Sequence, residues 1–206
     1  MSVKIKICGI TSEEDSVTAI MLGADAVGFN FTFSNSRRVL PDVARKIVKR
    51  LPPFVQAVGI FRDDRPDWIN RVIDEVGLAA VQLRGDEAPE FCGSLRVPVI
   101  KELNVASMED AGICGRFSVS AFLLKPTNGA IPKKADGAVS KYEPMARMAE
   151  ALGCVVLPGD CLDGDIAEAV RVIKPYAVDI SMVAEGCDGG FDFERLRRFI
   201  EEVKNA

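Results

Sequence analysis

The sequence predicts a (β/α)8 barrel, and three observations carry that expectation. Short β-branched or apolar runs recur eight times along the 206 residues. Charged segments with apolar residues at helical spacing separate them, so the chain reads as serial βα units, which require a parallel sheet. The loop after the first run lacks the GxGxxG turn that an open dinucleotide-binding sheet would place there. A closed barrel is expected, compact beside the roughly 250 residues typical of the architecture, as one domain over 1–206.

The first strand is VKIKIC (3–8), which alternates polar and apolar residues with the period of a sheet. SEEDSVTAIMLG follows, with acidic residues at the positive end of the helix dipole and a glycine at the other end. Further strands are expected at DAVGFNF (25–31), VQAVGIF (55–61), AAVQL (79–83), VPVIKEL (97–103), SAFLL (120–124), CVVLP (154–158) and AVDIS (177–181). Helices are expected in PDVARKIVKRL, PDWINRVIDEVG, Asp86–Leu95, Ser107–Gly115, KYEPMARMAEALG, DGDIAEAVRVIK and DFERLRRFIEEV. The longest loop, KPTNGAIPKKADGAVS (125–140), reads as an active-site lid or as plain disorder.

Composition narrows the function. With 48% apolar residues the chain can bury a full core, and no apolar run approaches the length of a membrane span. The N-terminus opens on a strand, so no signal peptide is expected and the chain reads as cytoplasmic. Lys and Arg total 26 against 30 Asp and Glu, interspersed, which offers no footprint for nucleic acid or membrane and leaves a small molecule as the expected partner. Six cysteines are scattered without a CxxC pair, and there is no histidine, so neither disulfides nor a metal site is expected. Cys92, Cys114 and Cys154 read as core filler. Without histidine, proton transfer falls to Cys, Asp, Glu, Lys or Tyr.

Barrels place chemistry at the C-terminal ends of their strands, which nominates Cys8, Arg37, Arg84, Lys125, Asp160, Asp179 and Ser181. Cys8, just before Gly9, reads as a thiolate base or nucleophile, or as a small buried hydrophobe. Arg37 reads as an anion fork or as half of a solvated pair with Arg38. Lys125 follows AFLL directly and precedes a proline; it could bind an anion, attack a carbonyl, or lead its loop into water.

Several segments, in order, resemble the phosphoribosylanthranilate isomerase family of tryptophan biosynthesis: KICGIT (6–11), GADAVGFNF (23–31), SNSRR, PPFVQAVGIF (52–61), AVQLRG (80–85) and RVIKPYAVDIS (171–181). The resemblance implies a cofactor-free Amadori rearrangement. An acid protonates the ring oxygen of an aminoaldose phosphate, and a base then moves the proton from the second sugar carbon. It implies Cys8 as base and Arg37, Gln82 and Arg84 against the substrate. The phosphate is implied at Gly159, Asp160 and Ser181, and the assembly is a monomer or a homodimer.

Four departures accompany it. The family's acid is an aspartate in a pattern like LLLD, and this chain reads FLLK, with Lys125 in its place. An ordinary lysine, with a pKa near 10.4, is a weak acid toward a sugar oxygen unless burial lowers it, so the acid is expected to be Lys125 or another group such as Asp179. The glycine pair after the seventh strand reads Gly159-Asp160, and the Ser-Ser-Gly after the eighth reads Ser181-Met182-Val183. An Asp160 carboxylate within about 4 Å of a phosphate charge would cost on the order of 4 kcal/mol, roughly a thousandfold in affinity. VQLHG reads VQLRG, which puts the fixed charge of Arg84 where the family has a titratable ring. Two other readings stay open: Schiff-base chemistry at Lys125 on the same barrel, and a barrel that binds a metabolite or a partner without turnover.

Overall fold

The computed structural model describes residues 2–107, 110–127, 140–159, 166–181 and 193–206. Strands and helices alternate throughout: β1 (Lys4–Cys8), α1 (Glu13–Met21), β2 (Ala26–Asn30), α2 (Pro41–Val48), β3 (Gln56–Phe61), α3 (Pro66–Val76), β4 (Ala80–Leu83), α4 (Pro89–Cys92), β5 (Val99–Val105), α5 (Asp110–Cys114), β6 (Ala121–Pro126), α6 (Glu143–Leu152), β7 (Val155–Pro158), α7 (Ile166–Ile173), β8 (Ala177–Ser181) and α8 (Phe193–Lys204). The strands pair in parallel in chain order, and β8 closes on β1. The expected barrel is the observed one. Among the described residues no helix is long and apolar enough to cross a membrane.

Following the Cα register once around the barrel returns to β1 displaced by eight residues. That shear advances each strand by one residue on average, so inward side chains from alternate strands share a level. Outward residues such as Ile5, Ile7, Val178 and Ile180 pack into the main core beneath the helices, and Ala121, Leu123, Val156 and Ala177 form a separate inner core. From the N-terminal end, the inner levels run as follows. Ala26, Ala80, Ala121 and Ala177 come first, then Lys6, Val58, Ile100 and Val156, then Gly28, Gln82, Leu123 and Asp179. Above these lie Cys8, Ile60, Glu102 and Pro158, and Asn30, Arg84, Lys125 and Ser181 ring the mouth. The alanine level leaves a cavity of about 300 Å³ that includes Lys6 and Val58 in its lining. It lies at the opposite end of the barrel from Cys8, the end that in this architecture carries stability rather than chemistry.

Two boundaries differ from the sequence expectation, each for a tertiary reason. β5 runs on to Val105 and draws β6 with it through Asn104–Lys125 and Val105–Pro126 pairing, so Lys125 lies within the strand rather than after it. The segment 86–95 forms only a short helix at Pro89–Cys92 because Glu87 turns inward. Its carboxylate accepts the backbone N–H groups of Asp63 (3.0 Å) and Gly85 (3.1 and 3.2 Å) and pairs with Lys101 Nζ at 2.6 Å. Lys101 Nζ also donates to the Gly85 carbonyl at 2.5 Å. The remaining boundaries agree within three residues.

Both side chains of the Lys101–Glu87 pair are 2% exposed, so removing one leaves an uncompensated buried charge. Lys101→Met is expected to lower stability by about 3–5 kcal/mol. In a chain of this size that lowers the thermal midpoint by about 10 °C, measurable by calorimetry.

Candidate active site

Cys8 ends β1 on an inward position, and its neighbours are arranged around it. Its register partner on β2 is Gly28, where a Cβ would stand 3.0 Å from Cys8 Cβ and 3.1 Å from Cys8 Cα, so glycine there makes room for the cysteine. Gly9 follows at φ +88°, a conformation that favours glycine and turns the chain out of the sheet directly after the thiol. The turn is held from α1 by a capping box. The Ser12 side chain accepts the Asp15 N–H at 3.0 Å, while Asp15 Oδ2 accepts Thr11 N–H, Thr11 Oγ1–H and, at 3.3 Å, Ser12 N–H.

Arg37 completes this brace. Its Nε donates to the Gly9 carbonyl at 2.7 Å, and its Nη2 donates to Asp15 Oδ2 at 2.8 Å and to Thr11 Oγ1 at 3.2 Å. Of the fork expected to grip an anion, only Nη1 lacks a contact among the described residues. The neighbouring Arg38 stacks over Phe33, 5.0 Å from the ring centroid.

Across the mouth, Gln82, Arg84 and Glu102 form a second cluster. Glu102 Oε2 accepts Gln82 Nε2–H at 2.9 Å and lies 2.9 Å from Arg84 Nε. The Gln82 carbonyl oxygen is buried and accepts from no group among the described residues. Lys125 stands next to the end of β6 on the mouth level, and no carboxylate pairs with it among the described residues. Asp179 lies one level below Cys8 and is held by Lys6, whose Nζ is 2.8 Å from Oδ1 in an ion pair with angles outside hydrogen-bond geometry. Ser181 pairs with Cys8 in the register of β8 and β1. Gly159 is buried against α8, where a Cβ would meet Phe199 Cζ at 2.5 Å, so a side chain there would have to displace that ring. Asp160, the lid segment over 128–139 and Met182–Val183 lie outside the described residues.

The structure thus brings Cys8, Gln82, Arg84, Lys125 and Ser181 to one end of the barrel interior, with Arg37 bracing the loop beside it. Glu102 and Lys6 were not expected there, nor was the role of Asp15. The adjacent charges of Lys101 and Glu102 inside the apolar strand VPVIKEL were the available signal, since a charge in a barrel strand must find a partner or face the mouth.

A closed barrel with a cysteine and a ring of polar groups at the C-terminal strand ends defines a (β/α)8-barrel enzyme. The model of the family described as N-(5'-phosphoribosyl)anthranilate (PRA) isomerase matches residues 5–202. The chain belongs to that family. N-(5'-phosphoribosyl)anthranilate isomerase of Geobacter sp. (strain M21) is 40% identical over 202 residues, covering 98% of each chain. The same-named protein of Trichlorobacter lovleyi is 38% identical over 206 residues, covering 99% of each. Among solved structures, phosphoribosyl anthranilate isomerase from Thermotoga maritima superposes with TM-score 0.82 at 32% identity, covering 99% of this chain and 100% of that one. A complex of such an isomerase with reduced 1-(o-carboxyphenylamino)-1-deoxyribulose 5-phosphate superposes with TM-score 0.81 at 31% identity, again covering 99% and 100%.

Burial pushes the thiols of Cys92 and Cys114 above their usual range, and both are enclosed, whereas Cys8 is partly accessible at the mouth. A raised thiol pKa means less thiolate at neutral pH. Iodoacetamide at pH 7 is expected to label Cys8 in the native protein and spare Cys92 and Cys114 until the chain unfolds, read by peptide mass mapping. Gly28→Ala is expected to cost about 1–3 kcal/mol by overpacking against β1 and to alter the Cys8 labelling rate.

Proposed function

We propose that the chain catalyses the Amadori rearrangement of N-(5'-phosphoribosyl)anthranilate to the aminoketose, in tryptophan biosynthesis, with Cys8 as the base. The observation that carries this reading is the position of Cys8: inward on β1, with Gly28 clearing space beside it and a braced turn immediately after it. A thiolate there can take the proton from the second sugar carbon once the ring has opened.

The acid that opens the ring is Lys125. It stands on the mouth level, above Cys8 and on another strand, so an ammonium there can protonate the ring oxygen while the thiolate works on the carbon. Asp179, the other group considered for this step, lies below Cys8 and is engaged by Lys6, which favours a role in holding the barrel floor under the substrate. Gln82 contributes its buried, unpartnered carbonyl oxygen as acceptor for a substrate N–H or hydroxyl. Arg37 and Arg84 supply cations for the two anionic ends, and Gly159 and Ser181 lie at the phosphate end. No cofactor enters this chemistry.

The test is turnover of phosphoribosylanthranilate followed by loss of anthranilate fluorescence. The parent is expected to turn over, and Cys8→Ser to lower kcat by about 10²–10⁴-fold. Lys125→Asp is expected to raise kcat, because a carboxylic acid protonates a sugar oxygen more readily than an ammonium does. No turnover by the parent at enzyme concentrations matching substrate would overturn the reading. Borohydride trapping with small carbonyl compounds separates it from Schiff-base chemistry, which alone predicts an adduct on Lys125.

A further inference from the structure

We propose that Lys6 and Asp179 are positioning residues for Cys8: two opposite charges, fixed beneath the thiol, that set how much of it is thiolate at neutral pH. This rests on the reading of Cys8 as the base and names what prepares it.

Packing alone does not account for the pair. Its surroundings in the barrel interior are apolar, with Val58, Ile100 and Val156 on the level of Lys6 and four alanines beneath. The Lys6 and Asp179 side chains are 5% and 8% exposed. Lys6 Nζ lies 2.8 Å from Asp179 Oδ1, and neither atom makes a hydrogen bond among the described residues. Replacing such a pair by well-packed apolar residues is often neutral or stabilising, so stability is a weak reason for its presence.

The register supplies a stronger one. Lys6 stands two residues before Cys8 on the inward face of β1, and its register partner Asp179 stands two residues before Ser181, the register partner of Cys8. Two residues of strand place both charged residues about 7 Å along their strands below the level of the thiol. An ammonium there favours a thiolate, and a carboxylate disfavours it.

The other charged groups around Cys8 are Glu102 on its level, Arg84 and Lys125 on the level above, and Arg37 with Asp15 at the turn that follows. From β2, β3 and β7 the described residues at these levels are uncharged: Gly28, Asn30, Ile60 and Pro158. Glu102 is paired with Arg84 and Asp15 with Arg37, and the two arginine side chains are 35% and 27% exposed. Water and salt screen charges at the mouth, whereas the buried pair is screened much less.

The two buried charges act in opposite directions, and a base needs both. With Asp179 alone the thiol would keep its proton near pH 7, and with Lys6 alone the thiolate would form readily but accept a proton poorly. Together they hold the thiol between those extremes.

The rate at which iodoacetamide labels Cys8, followed against pH and resolved by peptide mass mapping, tests this without relying on turnover. Lys6→Met is expected to move the midpoint of the profile upward by about one unit and to slow labelling at pH 7 about tenfold. Asp179→Asn is expected to move it downward by a similar amount, and Lys6→Met combined with Asp179→Asn to return it near that of the parent. Where Lys6→Met does not fold, the interval between Asp179→Asn and the double variant isolates the ammonium. Midpoints that match the parent's in the folded variants would overturn the proposal. Shifts of one sign in both single variants would overturn it too, because they mark a change in packing around the thiol. The acidic limb of kcat/KM for phosphoribosylanthranilate is expected to follow the labelling midpoint. Opposite shifts in a protein whose parent shows no turnover would support the charge pair and sink the isomerase reading. Normal turnover with unmoved midpoints would sink this proposal alone.

Discussion

The closed parallel ladder, with its displacement of eight residues, is the constraint on which the rest of the structure depends. Because the register is fixed at every strand pair, the inner side chains have no freedom to choose their height. Cys8 must share a level with Ile60, Glu102 and Pro158, and Lys125 must share the mouth with Asn30, Arg84 and Ser181. A one-residue slip in β1, β5, β6 or β8 would exchange its inner and outer faces and carry Lys6, Glu102, Lys125 or Asp179 into the layer beneath the helices. Groups from distant parts of the chain are held together at one end by backbone hydrogen bonding alone, before any contact between their side chains is counted.

Strand β5 shows how that constraint is used. Lys101 faces outward and reaches the Gly85 carbonyl and the Glu87 carboxylate, fixing the turn after β4. The next residue, Glu102, faces inward and holds the side chain of Arg84, the residue that precedes that turn. Two consecutive residues on opposite faces thus fix the backbone and the side chain at one position. Burying such charges is costly, and the cost is offset only where each oxygen and ammonium finds several partners. Glu87 meets this condition with three donors: Lys101 Nζ and the N–H groups of Asp63 and Gly85.

The legible part of this protein was local. Strand runs, helix spacing, the Cys8–Gly9 junction and the motif order are properties of short segments, and the barrel, the family and the position of Cys8 could be read from them. What escaped was set by register between segments distant in sequence. Glu102 carries no local mark of standing across from Cys8, and the extension of β6 through Lys125 follows from how far β5 runs. Arg37 was legible as a cation beside the mouth, but its engagement depends on Asp15, which looks locally like an acidic residue in the first turn of a helix and no more. Gly159 could be read as a phosphate-loop glycine, yet the ring of Phe199 gives packing its own claim on that position.

Lys125 is where these threads meet. The barrel interior balances Lys6 against Asp179, and the mouth balances Arg84 against Glu102 and Arg37 against Asp15. Lys125 has no such counterpart among the described residues, so among them it is the cation without a carboxylate partner, where the family resemblance places an aspartate. For a substrate bearing a phosphate and a carboxylate, that change adds attraction in the ground state. The product of an internal rearrangement carries the same two anions, so the added attraction holds it equally well. Interactions shared by substrate, transition state and product lower KM without raising kcat. The substitution therefore adds a hold on the ligand, and in the proposed reaction it leaves the proton that opens the ring to come from an ammonium while Cys8 works on the carbon.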